Sequence, residues 1–322
     1  GGNADAGFYG NLLRTSADLN TTEARNFNDP FWNVAGYFTP FNSNPFRAAA
    51  TREDLTDWNR VNGFVEVGYD PFEFLNFKVR AGADYSNREL EQYRPIEVAG
   101  PPNNISRPGV IRVTNAATAS INLDAITTFN KEMSEDLNLS VILGLNVRDG
   151  KSESTIAMQP NLGIGGFRSL NNGLVQPVVA QGFAQRRLVG VYSQVALGYK
   201  GAYHLELQGR NDWSSTLPVD NNSFFYWSAA GNVIISELVD LGPVSFLKAS
   251  LSYAQVGNDA PAYSTGNAFS VTLDPNINSQ RAAAFPFGGF TGARAANTVG
   301  NSTLKPEKTS GYELGIEVGA LN

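Results

Sequence analysis

Hydrophobic and polar residues alternate one for one along several stretches of this chain. In LNFKVRAGADYS, Leu75, Phe77, Val79, Ala81, Ala83 and Tyr85 fall on one face, and Asn76, Lys78, Arg80, Gly82, Asp84 and Ser86 on the other. In LNLSVILGLNVR, Leu137, Leu139, Val141, Leu143, Leu145 and Val147 share a face opposite Asn138, Ser140, Gly144, Asn146 and Arg148, with Ile142 the exception. YHLELQGR sets Tyr203, Leu205 and Leu207 against His204, Glu206, Gln208 and Arg210, and YELGIEVG repeats the pattern from Tyr312 to Gly319. A period of two marks a β-strand with one apolar face. It predicts nine strands, at about 60–69, 75–87, 117–129, 137–149, 186–199, 203–211, 224–236, 245–256 and 310–320.

Strand length narrows the fold class. Strands of soluble proteins average roughly 5–6 residues, whereas a tilted membrane-spanning strand needs roughly 9–11. Most of the predicted strands match the second figure. The connections alternate short and long. DPFEF, NKEMSED, KGA and ELVDLGPV are short, whereas residues 88–116, 150–185, the stretch RNDWSSTLPVDNNSFFY and residues 257–309 are long. An up-and-down barrel in an outer membrane segregates loops in this way, with short periplasmic turns and long extracellular loops. A soluble sandwich has no reason to. Tyr69, Phe72, Phe74, Phe129, Tyr199, Tyr203 and Phe246 lie near the short-turn ends, and Tyr85, Trp227 and Tyr253 toward the long-loop ends. Two aromatic girdles at the membrane interfaces account for that placement.

Composition agrees with this picture and excludes several others. Charged residues make up 17% of the 322, aromatics 11%, and there are 32 glycines, as suits a turn-rich all-β chain. The net charge of -6, with no basic run, gives no reason to expect nucleic acid. There is no cysteine, hence no disulfide framework or thiolate chemistry. No apolar run reaches the roughly 18 residues of a transmembrane helix, and GGNADAGFYG lacks the pattern of a signal peptide. The mean hydropathy of -0.22 resembles that of a soluble protein. It does not argue against a membrane barrel, in which only every second residue faces lipid.

Nine strands leave an open sheet edge, whose unpaired N–H and C=O groups cannot face lipid. The chain is therefore expected to be a piece of a larger barrel, unless residues 1–59 hold a further strand. It divides into a mostly extracellular loop over 1–59 and membrane strands over 60–320, together one partial barrel domain spanning 1–322.

Particular motifs resemble a known family. GRNDWSSTLPVDNNSFFYWSAAGNVIISE (Gly209 to Glu237) resembles a segment of SusC/RagA-type TonB-dependent outer-membrane transporters of Bacteroidetes. There an Arg-Asn/Asp strand end leads through a Ser-rich loop to an aromatic FFYPS-like start of the next strand, and Trp227 stands where that family usually has Pro. NSTLKPEKTSGYELGIEVG (Asn301 to Gly319) looks like a segment common across TonB-dependent receptor barrels. LKASLSYAQVGND (Leu247 to Asp259) and the stretch from Asn44 to Tyr85 are similar to further barrel segments, so the resemblance covers most of 44–320.

The resemblance implies a 22-strand barrel with an N-terminal plug, a SusD-like surface lipoprotein as lid, and import of oligosaccharide or peptide driven through TonB–ExbB–ExbD. No plug or TonB box is recognisable here, so this chain would be the middle and later barrel. The alternatives from other classes are a passive porin, a barrel enzyme or, less well supported, a soluble β-sandwich adhesin.

Candidate chemistry is sparse. His204 is the only histidine and has no His-x-x-x-His partner, so a structural role on the polar face is expected. NLGIGGF (Asn161 to Phe167) lacks the Lys-Ser/Thr of a phosphate loop and reads as a flexible loop. Asp212, Asp220, Asn221 and Asn222 do not follow a calcium-loop spacing and read as turn chemistry. The expectation is no catalytic, cofactor or metal site. Ligand or lid contact is expected instead from the aromatics Phe31, Trp32, Tyr37, Phe38, Phe41 and Trp213, against plain loop packing as the simpler reading. Lumen-facing positions are expected at Arg80, Arg148, His204, Glu206 and Arg210, mostly as a hydrated wall.

Overall fold

The computed structural model describes residues 8–13, 15–33, 44–98, 106–267, 269–270, 293–295 and 299–320. Nine strands form one antiparallel sheet, the first eight side by side in chain order. They are β1 (Glu53–Phe72), β2 (Leu75–Val98), β3 (Ser106–Ser134), β4 (Leu137–Pro160), β5 (Val178–Tyr199), β6 (Tyr203–Ser214), β7 (Ser223–Ile234) and β8 (Val244–Asn258). A two-stranded ladder of β9 (Phe269–Ser270) and β10 (Arg294–Ala295) follows, and β11 (Glu307–Ala320) then pairs with β8. Two short helices, α1 (Phe8–Leu13) and α2 (Pro45–Thr51), precede the sheet. The sheet is part of a barrel wall, open at β1 and β11 among the described residues.

The tight turns all lie at one end. Phe72 pairs with Leu75, Ser134 with Leu137, and Tyr199 with Tyr203. In the last of these, Lys200 and Gly201 both adopt positive φ, 53° and 65°. Left-handed geometry at two successive residues reverses a strand without splaying it. Phe72, Phe74 and Phe129 pack together at this rim, and Tyr199 against Tyr203.

The strands exceed the lengths expected from alternation. Much of 88–116 and 150–185, read as loop from the sequence, is strand: β2 runs to Val98, and β3 begins at Ser106. β6 and β7 have 12 residues each, whereas β3 has 29. At ~3.3 Å per residue and a tilt of about 40°, 12 residues rise about 30 Å, one membrane thickness. The extensions stand above that level, where both faces meet water or loops. Pairing continues there, but nothing enforces apolar alternation.

Within the membrane-length part, burial is inverted. Val79 is 57% exposed, Ile121 55%, Leu143 54% and Leu251 61%, while the polar residues between them are partly covered by one another. No second sheet covers the apolar face among the described residues. Trp227, Tyr253 and Tyr312 stack across three strands on that face at centroid distances of 4.8 and 4.9 Å, forming the outer aromatic belt. A soluble sandwich would bury this face; a membrane barrel turns it to lipid.

Among the described residues, the apolar cluster of buried side chains lies above the belt. Tyr93, Ile111 and Leu162 form it, with Ile96 and Leu170 against it. NLGIGGF belongs to its cover and is pinned. Asn172 accepts from the Ile164 N–H and donates to the Ile164 and Phe167 carbonyls, and the Gly166 N–H donates to the Tyr93 hydroxyl. Arg168 lies 5.0 Å over the Tyr93 ring and pairs with Glu53. The glycines belong to a cap on the long-loop end of the sheet, not to a phosphate cradle.

Candidate functional site

The polar face carries the chemistry. Cross-strand register puts Glu66, Arg80, Asp124, Asn146, Gly190 and Asp212 in one row. The adjacent row holds Lys78, Ile126, Gly144, Tyr192, Arg210 and Tyr226. Directly paired residues share a face with Cβ atoms about 5 Å apart, so these rows interact as continuous ladders.

The ladders are largely self-satisfied. Glu66 receives Arg80 at 2.6 Å and Lys78 at 3.1 Å. Asn146 Nδ2 donates to Asp124 Oδ1 at 2.7 Å and to Asn122 Oδ1 at 3.1 Å. Arg210 Nε donates to Asp212 Oδ1 at 2.8 Å, the Tyr226 hydroxyl donates to Asp212 Oδ2 at 2.6 Å, and the guanidinium lies 5.6 Å from the Tyr192 centroid. Arg210 Nη2 also reaches Asn146 Oδ1 at 3.5 Å, spanning two strands, as a concave wall permits.

Two glycines make the packing possible. A Cβ on Gly144 would come 2.0 Å from Tyr192 Cζ, and one on Gly190 would come 2.2 Å from Asp212 Oδ1. Tyr192 lies flat over the first, and the Arg210–Asp212 pair over the second. Ile142, the break in alternation, takes its place on this face between Thr128 and Gln194.

A second cluster sits at the long-loop rim. Asp259, with a side chain only 4% exposed, receives Arg186 through Nη2 at 2.6 Å and Nε at 2.8 Å. It also accepts from the Ser214 hydroxyl and from Thr216 Oγ1 at 3.1 Å. Burial alone would raise this carboxyl, but the Arg186 and Ser214 hydrogen bonds and the Arg186 charge outweigh it, so its pKa lies below the usual value. The cluster ties the loops after β6 and β8 to β5. Glu97, at the top of β2, is built alike: burial pushes it up, the Arg47 and Arg107 guanidiniums pull it down further, and the net shift is downward.

The structure places the expected site residues as follows. Arg80, Arg148, His204, Glu206 and Arg210 all stand on the polar face. His204 Nε2 lies 3.2 Å from the Gly201 carbonyl, and Glu206 accepts from Gln208. Trp213 is on the opposite face, cross-strand from Val189. Phe31 and Trp32 meet edge to face at 4.8 Å, and Phe31 is 62% exposed. Asn44 holds this segment by donating to the Ala24 and Trp32 carbonyls and capping α2. Tyr37, Phe38 and Phe41 lie outside the described residues. Asp212 is spent on Arg210 and Tyr226, and Asp220 and Asn221 sit on a separate 3-10 turn, so the Asx residues do not converge. Among the described residues, no three His, Asp or Glu side chains come together as metal ligands.

Sequence reasoning missed Asp259, Ser214, Thr216, Tyr192 and Tyr226. Period-two patterning assigns a face to a strand residue but says nothing of which strands lie side by side or where a loop returns.

The geometry agrees with what comparison with known proteins finds. A family model described as TonB dependent receptor-like, beta-barrel matches residues 2–322. The structure of the RagAB peptide importer in its closed-closed state matches with TM-score 0.69 at 20% identity, over 87% of this chain and 30% of that one. The open-open state matches with TM-score 0.68 at the same identity and coverage. This chain thus spans about 30% of the length of those it matches. No curated protein sequence matches. The motif resemblance to SusC/RagA-type barrels is met by the family match and by this shared fold. The chain belongs to the TonB-dependent receptor-like β-barrel family.

Proposed function

We propose that this chain is wall and rim of a TonB-dependent importer that carries peptides or oligosaccharides across a bacterial outer membrane. In this reading a SusD-like surface lipoprotein closes over the long-loop rim, and energy arrives from TonB–ExbB–ExbD through a plug. Ligand or lid contact falls to the loop aromatics, Phe31 and Trp32 among them. One observation carries the proposal: a family-matched sheet with an apolar face turned outward and an ion-paired polar face turned inward. That arrangement fits lipid on one side and a wet lumen on the other. It performs no bond-making step. The polar face offers hydration, charge and hydrogen bonds to a solute, and the rim ties hold the loops that would receive it.

The fold likeness is to a peptide importer, which makes short peptides the first ligands to test. Cells lacking the gene should fail to take up labelled peptides or oligosaccharides that parent cells accumulate. Loss of TonB or addition of a protonophore should abolish uptake in the parent. Uptake that persists after the proton-motive force collapses would mean a passive pore and overturn the reading.

A further inference from the structure

Arg148 is one of the polar-face cations that form no ion pair among the described residues, and it borders an open basin. Arg148 lies on β4 between Asn122 and Leu188, at the edge of a basin of ≈ 390 Å³. Ser120, Gly150, Lys151, Ser152 and Ala184 line it, as does Ala262 of the loop after β8. The lining is open at Gly150, where a Cβ would meet only the Arg186 carbonyl, at 3.9 Å.

Charge in the basin is unbalanced. Asp84 is engaged by Arg60, at 2.9 Å through Nε and 2.5 Å through Nη2. Arg186 is engaged by Asp259. Arg148 forms no ion pair among the described residues, although its charge reaches Asp84, and the Ser120 and Ser152 hydroxyls carry no side-chain hydrogen bond there. Among the described residues the basin lining thus has Arg148 and Lys151 outside any ion pair and two unused hydroxyls, against the one carboxylate of Asp84 that Arg60 already engages. A guanidinium fork matches a carboxylate in shape and charge, and serine hydroxyls donate to the same oxygens.

Height argues for an incoming solute. From Leu137 at the short-turn rim, ~3.3 Å per residue and a tilt of about 40° put Gly150 about 33 Å up. The same reasoning puts Tyr253 about 23 Å above Val244, so the basin sits above the outer aromatic belt, inside the extracellular mouth. We propose that Arg148, with Ser120 and Ser152, forms a subsite for the carboxylate of a solute entering the lumen. This rests on the import reading and adds a preference for acidic ligands to it.

The whole outer-membrane protein, purified in detergent, tests this by calorimetry with two matched pairs. Trialanine is compared with its C-terminal amide, and digalacturonate with its methyl ester. In at least one pair the acid should bind on the order of tenfold tighter than its neutral form, as a charge-assisted site implies. That pair identifies the source of the carboxylate as peptide end or uronic acid. Arg148→Gln should erase the difference without weakening the neutral form, and Arg148→Lys should retain part of it. The double variant Ser120→Ala with Ser152→Ala should weaken only the acid. Equal binding within both pairs, no binding by any probe, or discrimination that survives Arg148→Gln would overturn the subsite. Uptake in cells is scored separately, so a protein that imports without discriminating sinks the subsite alone, and one that discriminates without importing sinks the import reading alone.

Discussion

Leu143 and Gly144 are neighbours in the chain and answer to different constraints. Leu143 is 54% exposed and needs only to be apolar. Gly144 is buried beneath Tyr192 and cannot carry even a Cβ without displacing that ring. The contrast holds along the sheet. The outer face is selected by solvent and tolerates any apolar shape. The inner face is selected by fit and charge, and its side chains hold one another. In a soluble protein the apolar side is the jigsaw; here the polar side is.

The largest effect should come from offending the outer solvent. Leu143→Arg puts a charge near the bilayer midplane and should cost about 2–4 kcal/mol. Gln194→Lys, at a similar height on the polar face, should stay within about 0.5 kcal/mol. Urea unfolding of the protein folded into vesicles, read by gel mobility, checks both. Equal costs would erase the distinction between the faces.

Shape comes next. Gly144→Val should cost about 1–3 kcal/mol by overpacking against Tyr192, and a second change, Tyr192→Ala, should recover part of that loss. Gly63→Val on the outer face, where nothing lies within 4 Å, should cost little. The same unfolding assay reads all three.

The rim tie is third. Asp259→Ala removes the acceptor shared by Arg186, Ser214 and Thr216, a local loss of about 1–3 kcal/mol. Hydrogen exchange over 215–222 and 260–267 should accelerate while the membrane strands stay protected. The pH dependence follows from the lowered pKa of Asp259. Its contribution is fully present above the unfolded value of about 4 and is lost as pH falls through the lower folded value. The wild-type tie should therefore hold from neutral pH down to about 4 and loosen below it. Loosening already between pH 7 and 5 would contradict this.

How much of this was legible depends on which force writes the pattern. Lipid writes a period of two, so the nine strands, the polar placement of Arg80, Arg148 and Arg210, and the one-sided loop lengths could be read from single residues. Above the membrane no such force acts. The extensions of β2, β3 and β4 therefore read as loop although their pairing continues to Val98, Ser106 and Pro160. The rim cluster was invisible for another reason. Asp259 meets Arg186 across 73 positions of sequence, and only the strand order brings them together. Asp212 read as turn chemistry because Asx residues favour turns and no calcium-loop spacing is present, yet its partner is Tyr226 on the next strand.

The smallest effect belongs to the aromatic belt. Tyr253→Leu keeps apolar bulk but removes the middle ring of the Trp227–Tyr253–Tyr312 stack, a cost of about 1 kcal/mol. Unfolding in vesicles resolves it against Leu143→Arg. A loss as large as that of the buried charge would mean the belt, and not the apolar face, holds the sheet in place.

The two-faced wall is tested most directly by spin labels placed one at a time at positions 138–147 of β4, leaving out 144, where Tyr192 admits no side chain. The chain has no cysteine, so each introduced thiol is the only one among these 322 residues. In vesicles, collision with oxygen should peak at 139, 141, 143, 145 and 147, and collision with a water-soluble nickel chelate at the positions between. Alternation with a period of two, in opposite phase for the two reagents, is the predicted result. Uniform access of the nickel chelate to both sets would contradict the account.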